Sequence, residues 1–224
     1  MAEFDEVMDE LRSLGTAQNV KIYRRHGAGE DVFGVSYADL GRLKKRLKVD
    51  HPLARALWQS GNHDARVLAT MIADPAQMSE ADLDAWLADL ESYVLAGAVA
   101  DLASQTPGVK DRMERWTSSD EEWVGRAGWL LAGYLAQQDA TLPDAYFEDL
   151  LSRIEARLHG SKNRMRDAMN SAIIAIGSRN RHLEQRAKAV AQRIGKVEVD
   201  HGQTGCKTPD AISYIDKVWA RKAA

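Results

Sequence analysis

The apolar residues of this chain recur at intervals of three and four almost everywhere and alternate almost nowhere. Leu40, Leu43 and Leu47 show the pattern, as do Leu83, Trp86, Leu87 and Leu90, then Trp123, Ala127, Leu130, Leu131 and Tyr134. That spacing lines one face of an α-helix, whereas a half-buried strand needs strict alternation. Only KVEV at 196–199 reads as a short extended segment. Breaks fall at Asp50-His51-Pro52, Gly61-Asn62, Asp74-Pro75, Thr106-Pro107-Gly108, Ser118-Ser119-Asp120, Leu142-Pro143, His159-Gly160 and Gly177. Ser79 with Asp82, and Ser118 with Glu121, have the hydroxyl-to-acid spacing of a capping box. These signals predict about ten to twelve helices of roughly 9–18 residues joined by short turns.

Three stretches run alike: GNHDARVLATMIAD, DEEWVGRAGWLLAGYLA and NRMRDAMNSAIIAIGSRN each pass from a polar turn through an arginine to a small, apolar helix. Their arginines, Arg66, Arg126 and Arg166, stand 60 and 40 residues apart. A period near 40 suits HEAT-like helix pairs, whose small residues let neighbours stack. The fold expected is all-α, HEAT-like helical repeats forming a curved α-solenoid. A helical bundle whose Ala-rich helices are alike only in composition remains the alternative. No low-complexity linker interrupts the chain, so we expect a single domain. Residues 1–195 carry the repeats, and 196–224 form a connector loop and a C-terminal docking helix.

A net charge of -3 conceals a strong asymmetry. Between Arg66 and Lys110 there is no Lys or Arg, against Asp74, Glu80, Asp82, Asp84, Asp89, Glu91 and Asp101. Residues 153–196 hold Arg153, Arg157, Lys162, Arg164, Arg166, Arg179, Arg181, Arg186, Lys188, Arg193 and Lys196 against Glu155, Asp167 and Glu184. Such a basic stripe attracts phosphate even on an acidic protein. Cys206 is the single cysteine, which excludes an internal disulfide framework. The opening MAEFDEVMDELRSL is acidic and amphipathic, unlike a secretory signal, and no run has the length of a membrane span. A cytoplasmic protein is the expectation.

Tyr23-Arg24-Arg25-His26, Phe33-Gly34-Val35, HPLARALWQSGNHDARVLATMIADP (51–75), SDEEWVGRAGWLLAGYLA (119–136) and MNSAIIAIGSRN (169–180) together resemble the bacterial DNA alkylation repair protein family. These are the AlkD-like, HEAT-repeat DNA glycosylases, which excise cationic N3- and N7-alkylated purines. The likeness runs over roughly residues 10–195, and it lies in the sum of the pieces rather than in one sharp signature. It implies a protein that binds double-stranded, alkylated or distorted DNA on a basic concave face and needs no cofactor.

Such an enzyme needs cations on the phosphates, aromatic faces against the lesion or its sugar, and one carboxylate to stabilise the oxocarbenium-like sugar. The departing base is already charged, so a second carboxyl acting as acid is unnecessary. By the resemblance, Arg126 faces the DNA backbone, with Trp123 one turn before it. Lys162, Arg164 and Arg166 stand at a helix start, where backbone amides can join them on phosphate, and Arg179, Arg181 and Arg186 extend the stripe. For each arginine the alternative is a solvated helix face, and for Trp123 packing between repeats.

The catalytic part departs from the family. Where the family reads approximately Ser-Trp-Asp-x-x-Asp, this chain has Ser92-Tyr93-Val94-Leu95-Ala96-Gly97. The tryptophan becomes Tyr93, expected to touch the DNA together with Trp123, Arg126, Lys162, Arg164, Arg166 and Arg179, and the carboxylate position falls on Gly97. Ser171 stands where a second aromatic is expected. Glu91 and Asp101 are the nearest acids; Asp101, one turn beyond Gly97, could substitute only if the DNA lay about 6 Å from its usual place. This leaves two further readings beside a glycosylase: a non-catalytic HEAT-like DNA-binding protein, and a protein-interaction scaffold.

Other candidates have a structural expectation. His51, His63 and His159 sit at turns, where capping or exposure is the ordinary role. HExxH, CxxC, GxxxxGK[ST] and GxGxxG motifs are all absent. In VEVDHGQTGCKTPDA, Gly195 ends one helix, while Thr208 and Pro209 are placed as N-cap and N1 of the next, with Ile212, Ile215 and Trp219 inward. One His and one Cys fall short of the three or four ligands zinc takes, so a structural turn with a buried Cys206 beside His201 is expected and no metal site, with a Cys–His nucleophilic pair or a DNA contact through Lys207 as the alternatives.

Overall fold

The computed structural model describes residues 4–90 and 92–223. Among these residues there are thirteen α-helices, two 3-10 turns (Pro75–Gln77 and Leu158–Gly160) and no strand. KVEV runs outside any ladder. The helices divide into two compact units: residues up to Pro107 with Gly202–Thr204, and Gly108–His201 with Gly205–Ala224.

The first unit contains α1 (Phe4–Leu14), α2 (Ala17–Arg25), α3 (Tyr37–Leu47), α4 (His51–Gln59), α5 (His63–Ile72), α6 (Glu80–Ala88) and α7 (Tyr93–Ser104). Its hub is α5, against which α1, α3, α4 and α7 pack. Seven of its residues, including Leu68, Ala69 and Ile72, are buried, which suits a helix apolar nearly all round. Short polar side chains start these helices: Ser36, Asp50, Asn62, Ser79 and Ser92 each accept a backbone N–H from the first turn. Ser79 and Asp82 form the expected reciprocal box.

Asp64, 1% exposed, explains why the segment before α3 takes one shape. Its carboxylate accepts from the backbone amides of Phe33 (2.7 Å), Gly34 (3.0 Å) and Val35 (2.9 Å). Gly34 has φ +81, and a Cβ there would lie 2.6 Å from the Thr16 carbonyl oxygen, so only glycine fits. Phe33-Gly34-Val35 and the Asp64 of the 51–75 stretch are thus two halves of one contact.

The second unit contains α8 (Val109–Thr117), α9 (Glu122–Gln138), α10 (Asp144–Arg157), α11 (Asn163–Gly177), α12 (Arg181–Ile194) and α13 (Ala211–Ala223). Its most extensive pair is α9 against α11. Small residues on α9 permit close neighbours on two sides: a Cβ on Gly125 would sit 2.3 Å from the Met165 methyl of α11, and one on Gly128 would sit 2.6 Å from the Thr117 amide nitrogen of α8. Arg126 and Arg166 of the repeated pattern lie on these two helices, and Arg66 lies on α5 of the first unit.

Several local expectations are corrected. Ser118 is the C-cap of α8 and bonds the Glu114 carbonyl, while Glu121 is the N-cap of α9 with its amide held by Ser119. The four-residue spacing therefore straddles two helices and makes no capping box. In the C-terminal connector Asp210, not Thr208, caps α13, accepting the Ser213 amide at 2.8 Å. Thr208 instead pairs its hydroxyl with His201. Cys206 is exposed rather than buried, on a loop whose neighbours Gly205 and Lys207 are exposed as well. Ile215 and Ala211 bury α13, and Trp219 donates its indole N–H to the Gly177 carbonyl. His51 and His63 are buried as the first residues of α4 and α5. His159 faces the Ile194 carbonyl at 2.9 Å.

Candidate nucleic-acid interface

Helix α7 carries Tyr93 at its first turn, Gly97 in its middle and Asp101 in its last third, one helical turn apart on a common face. Leu95, Ala96, Val99, Ala100, Leu102 and Ala103 bury the opposite face. A Cβ on Gly97 would meet nothing within 4 Å. The resembled carboxylate position thus opens outward, unoccupied by any neighbouring side chain. Asp101 is exposed and borders a groove of about 460 Å³ with Lys44, Val94 and Ala98. Glu91 lies outside the described residues. Ser171 is exposed on α11 and donates its hydroxyl back to the Asp167 carbonyl.

Beside the start of α7 lies a smaller cavity of about 200 Å³, lined by Ile22, Tyr23, His26, Tyr37, His63 and Val94. Tyr23 and Tyr37 meet edge to face, with ring centroids 6.5 Å apart. The Tyr23 hydroxyl donates to the Val35 carbonyl, and the Tyr93 hydroxyl is hydrogen-bonded to His26 Nδ1. Burial holds the His63 imidazole below its ordinary range, while burial, followed by the Asp64 charge, raises Tyr37. At neutral pH the His63 and Tyr37 side chains of the wall are therefore uncharged.

The basic stripe of residues 153–196 is largely paired with acids, several of them from outside that segment. Arg153 pairs with Glu114, Arg157 with Asp120, Arg186 with Glu148, Arg193 with Glu155 and Lys188 with Asp216. Arg181 pairs with Glu184 and Lys196 with Glu198. Counting charges along the chain misses Glu114 and Glu148, which lie on facing helices.

Among the seven residues proposed to touch DNA, the structure separates three from the surface role. Arg126 is 7% exposed, and its Nη1 donates to Asp167 Oδ2 at 2.6 Å and to the Arg164 carbonyl at 3.0 Å. Arg179 donates to the carbonyls of Ala136 and Leu142 and stacks over Phe147, which closes the C-terminus of α9. Tyr93 is half-buried and spends its hydroxyl on His26. Lys162 is exposed at the N-cap of α11, Arg166 bonds Asn163, and Arg164 approaches His201 at 3.3 Å. The first-turn amide of Arg164, however, donates to the Glu122 carboxylate at 2.6 Å. A protein anion therefore occupies the helix start where a phosphate was expected. Trp123 is partly exposed in the first turn of α9.

Unassigned by the sequence reading are the cations of α2 and α3. Lys21, Arg25, Lys44, Lys45 and Lys48 are exposed. No ion pair to these five is found among the described residues, whereas the neighbouring Arg24, Arg42 and Arg46 are paired with Glu30, Asp39 and Glu10. The run Lys44-Lys45-Arg46-Leu47-Lys48 was the available signal. Among the described residues no group of three His, Cys, Asp or Glu could hold a metal, and no helix is long and apolar enough to cross a membrane.

Comparison with known proteins agrees with this fold. The chain is 32% identical over 223 residues to an uncharacterized protein of Listeria monocytogenes, covering 97% of each, and equally to one of Listeria innocua. A solved structure superposes with a TM-score of 0.91 and 31% identity, over 99% of this chain and 95% of the other. That protein represents a family related to the HEAT-like repeat DNA glycosylases, with affinity for branched DNA structures. The sequence model for DNA alkylation repair enzymes matches residues 7–215. With that match spanning most of its length, the chain belongs to the DNA alkylation repair enzyme family, in its HEAT-like helical form.

Proposed function

We propose that this protein binds branched DNA and does not excise the base. The observation that carries the second half is Gly97. An oxocarbenium-like sugar needs a carboxylate within hydrogen-bond or contact range, and the position that would present one ends in a hydrogen atom facing open space. The first half is supported by the structural relative's affinity for branched DNA and by the unpaired cations of α2 and α3. A branch point gathers phosphates from more than one arm, so a compact cluster of lysines meets more negative charge there than on a linear duplex.

Excision of cationic alkylated purines is the second reading, and Asp101 is its carboxylate. One experiment separates the two. Purified protein incubated with methylated DNA is expected to release no more N3- or N7-methylpurine than buffer does. Release that disappears in Asp101→Asn would establish excision instead. Gly97→Asp supplies the missing group: it is expected to melt within about 2 °C of the parent, because Gly and Asp have similar, poor helix propensities and the site has room.

A further inference from the structure

The aromatic cavity at the start of α7 is unused by phosphate binding. Four of its lining residues carry rings: Tyr23, His26, Tyr37 and His63. Two lining groups keep unspent hydrogen-bonding capacity. Neither the Tyr37 hydroxyl nor the His63 ring has a hydrogen bond among the described residues, whereas Tyr23 and His26 are engaged with Val35 and Tyr93. Tyr37 stands at the mouth, 52% exposed, beside the exposed Ile22. An exposed aromatic above an apolar, ring-lined recess has a stacking face to offer, together with two polar groups for the edge of whatever enters.

The surroundings select the occupant. Tyr37 and Val94 line both the cavity and the adjoining groove, which also holds Lys44. Lys21 is next in sequence to the lining Ile22 on α2. A lysine on the adjoining groove beside a ring-lined, largely apolar recess fits a phosphate outside and a base ring inside. A volume of about 200 Å³ accommodates one nucleobase, which occupies on the order of 100–150 Å³, well below the 300–1,000 Å³ of a drug-sized site. Every base has a face to stack, so such a recess needs no particular sequence.

We propose that this cavity captures one unpaired nucleobase at the branch of a DNA junction, stacked on Tyr37, with Lys44 on a flanking phosphate. The idea rests on the branched-DNA reading above and makes it more specific: what distinguishes the branch is the base it leaves unstacked.

Fluorescence anisotropy with three labelled probes tests it. The probes are a linear duplex, a three-way junction with one unpaired adenine at the branch, and the same junction with an abasic residue replacing that adenine. Wild-type protein is expected to bind the adenine junction about tenfold more tightly than the abasic one, the lower range of base–aromatic stacking. Tyr37→Ala should bring the two within twofold while leaving the abasic junction's affinity unchanged, and Tyr37→Phe should retain the preference. Tyr37 is half exposed, so its truncation leaves the core intact. Equal binding of both junctions by wild type, both tighter than the linear duplex, would overturn the cavity proposal and leave branched-DNA binding standing. Equal binding of all three probes would overturn both. Tyr37→Ala weakening both junctions alike would also refute base capture.

Discussion

Asp64→Asn is expected to lower the melting temperature by roughly 10 °C. The carboxylate accepts three backbone N–H groups from consecutive residues in a buried site. Hydrogen bonds to a charged acceptor contribute about 1.5–3 kcal/mol each, and a buried donor left without a partner costs a comparable amount. An asparagine keeps one acceptor oxygen but turns its amide N–H2 toward at least one of those donors. A net loss of about 3 kcal/mol follows, and in a chain of this size each kcal/mol shifts the midpoint by about 2–4 °C. The damage should centre on the segment before α3, and with it the position of Tyr37. Circular dichroism melting checks the first point. Hydrogen exchange at Phe33, Gly34 and Val35 checks the second, with protection lost there before it is lost in α9 or α11. A midpoint unchanged within 2 °C would show that these amides find other partners.

Arg126→Ala is the other large effect, and it divides the sequence reading from the structural one. Placed on the surface, Arg126 would lose DNA affinity without loss of stability. Buried against Asp167 and the Arg164 carbonyl, it should cost about 3 kcal/mol, the lower end for breaking one partner of a buried pair. Asp167 would be left poorly compensated between α9 and α11, the helices that make up most of the second unit's contact. Asp167→Asn in the same background should recover part of the loss, because the surviving charge is removed as well. Melting curves of the two single variants and the double variant measure this directly. Parent-like melting of Arg126→Ala with weaker DNA binding would return the residue to the surface role.

The helical class and most boundaries were legible because apolar spacing and cap residues are local signals. Ser36, Asp50, Asn62, Ser79 and Ser92 all start helices, and Gly195 ends α12 with φ +72. Gly97 on the outward face of α7 could be read from spacing alone, since one helix fixes the relation of Tyr93, Gly97 and Asp101. What failed depended on residues distant in sequence. Arg153 and Arg157 looked free because Glu114 and Asp120 lie 39 and 37 positions away. Arg179 looked like a phosphate ligand because the carbonyls it satisfies belong to Ala136 and Leu142. The start of α11 looked ready for an anion because Glu122, which occupies it, precedes Arg164 by 42 residues. Within the run from Arg42 to Lys48, only three-dimensional pairing of Arg42 with Asp39 and Arg46 with Glu10 separates the engaged cations from Lys44, Lys45 and Lys48.

The central claim is preference for a branch, and competition binding measures it most directly. Anisotropy titrations of a four-way junction and a linear duplex of equal length and base composition, between 50 and 200 mM salt, suffice. The junction is expected to bind at least tenfold more tightly at every salt concentration. Its log K should fall against log salt with a slope near −4, as expected for about four or five neutralised phosphates, and the slope should diminish in Lys44→Ala/Lys45→Ala. Equal affinities for junction and duplex, or a slope near zero, would contradict it.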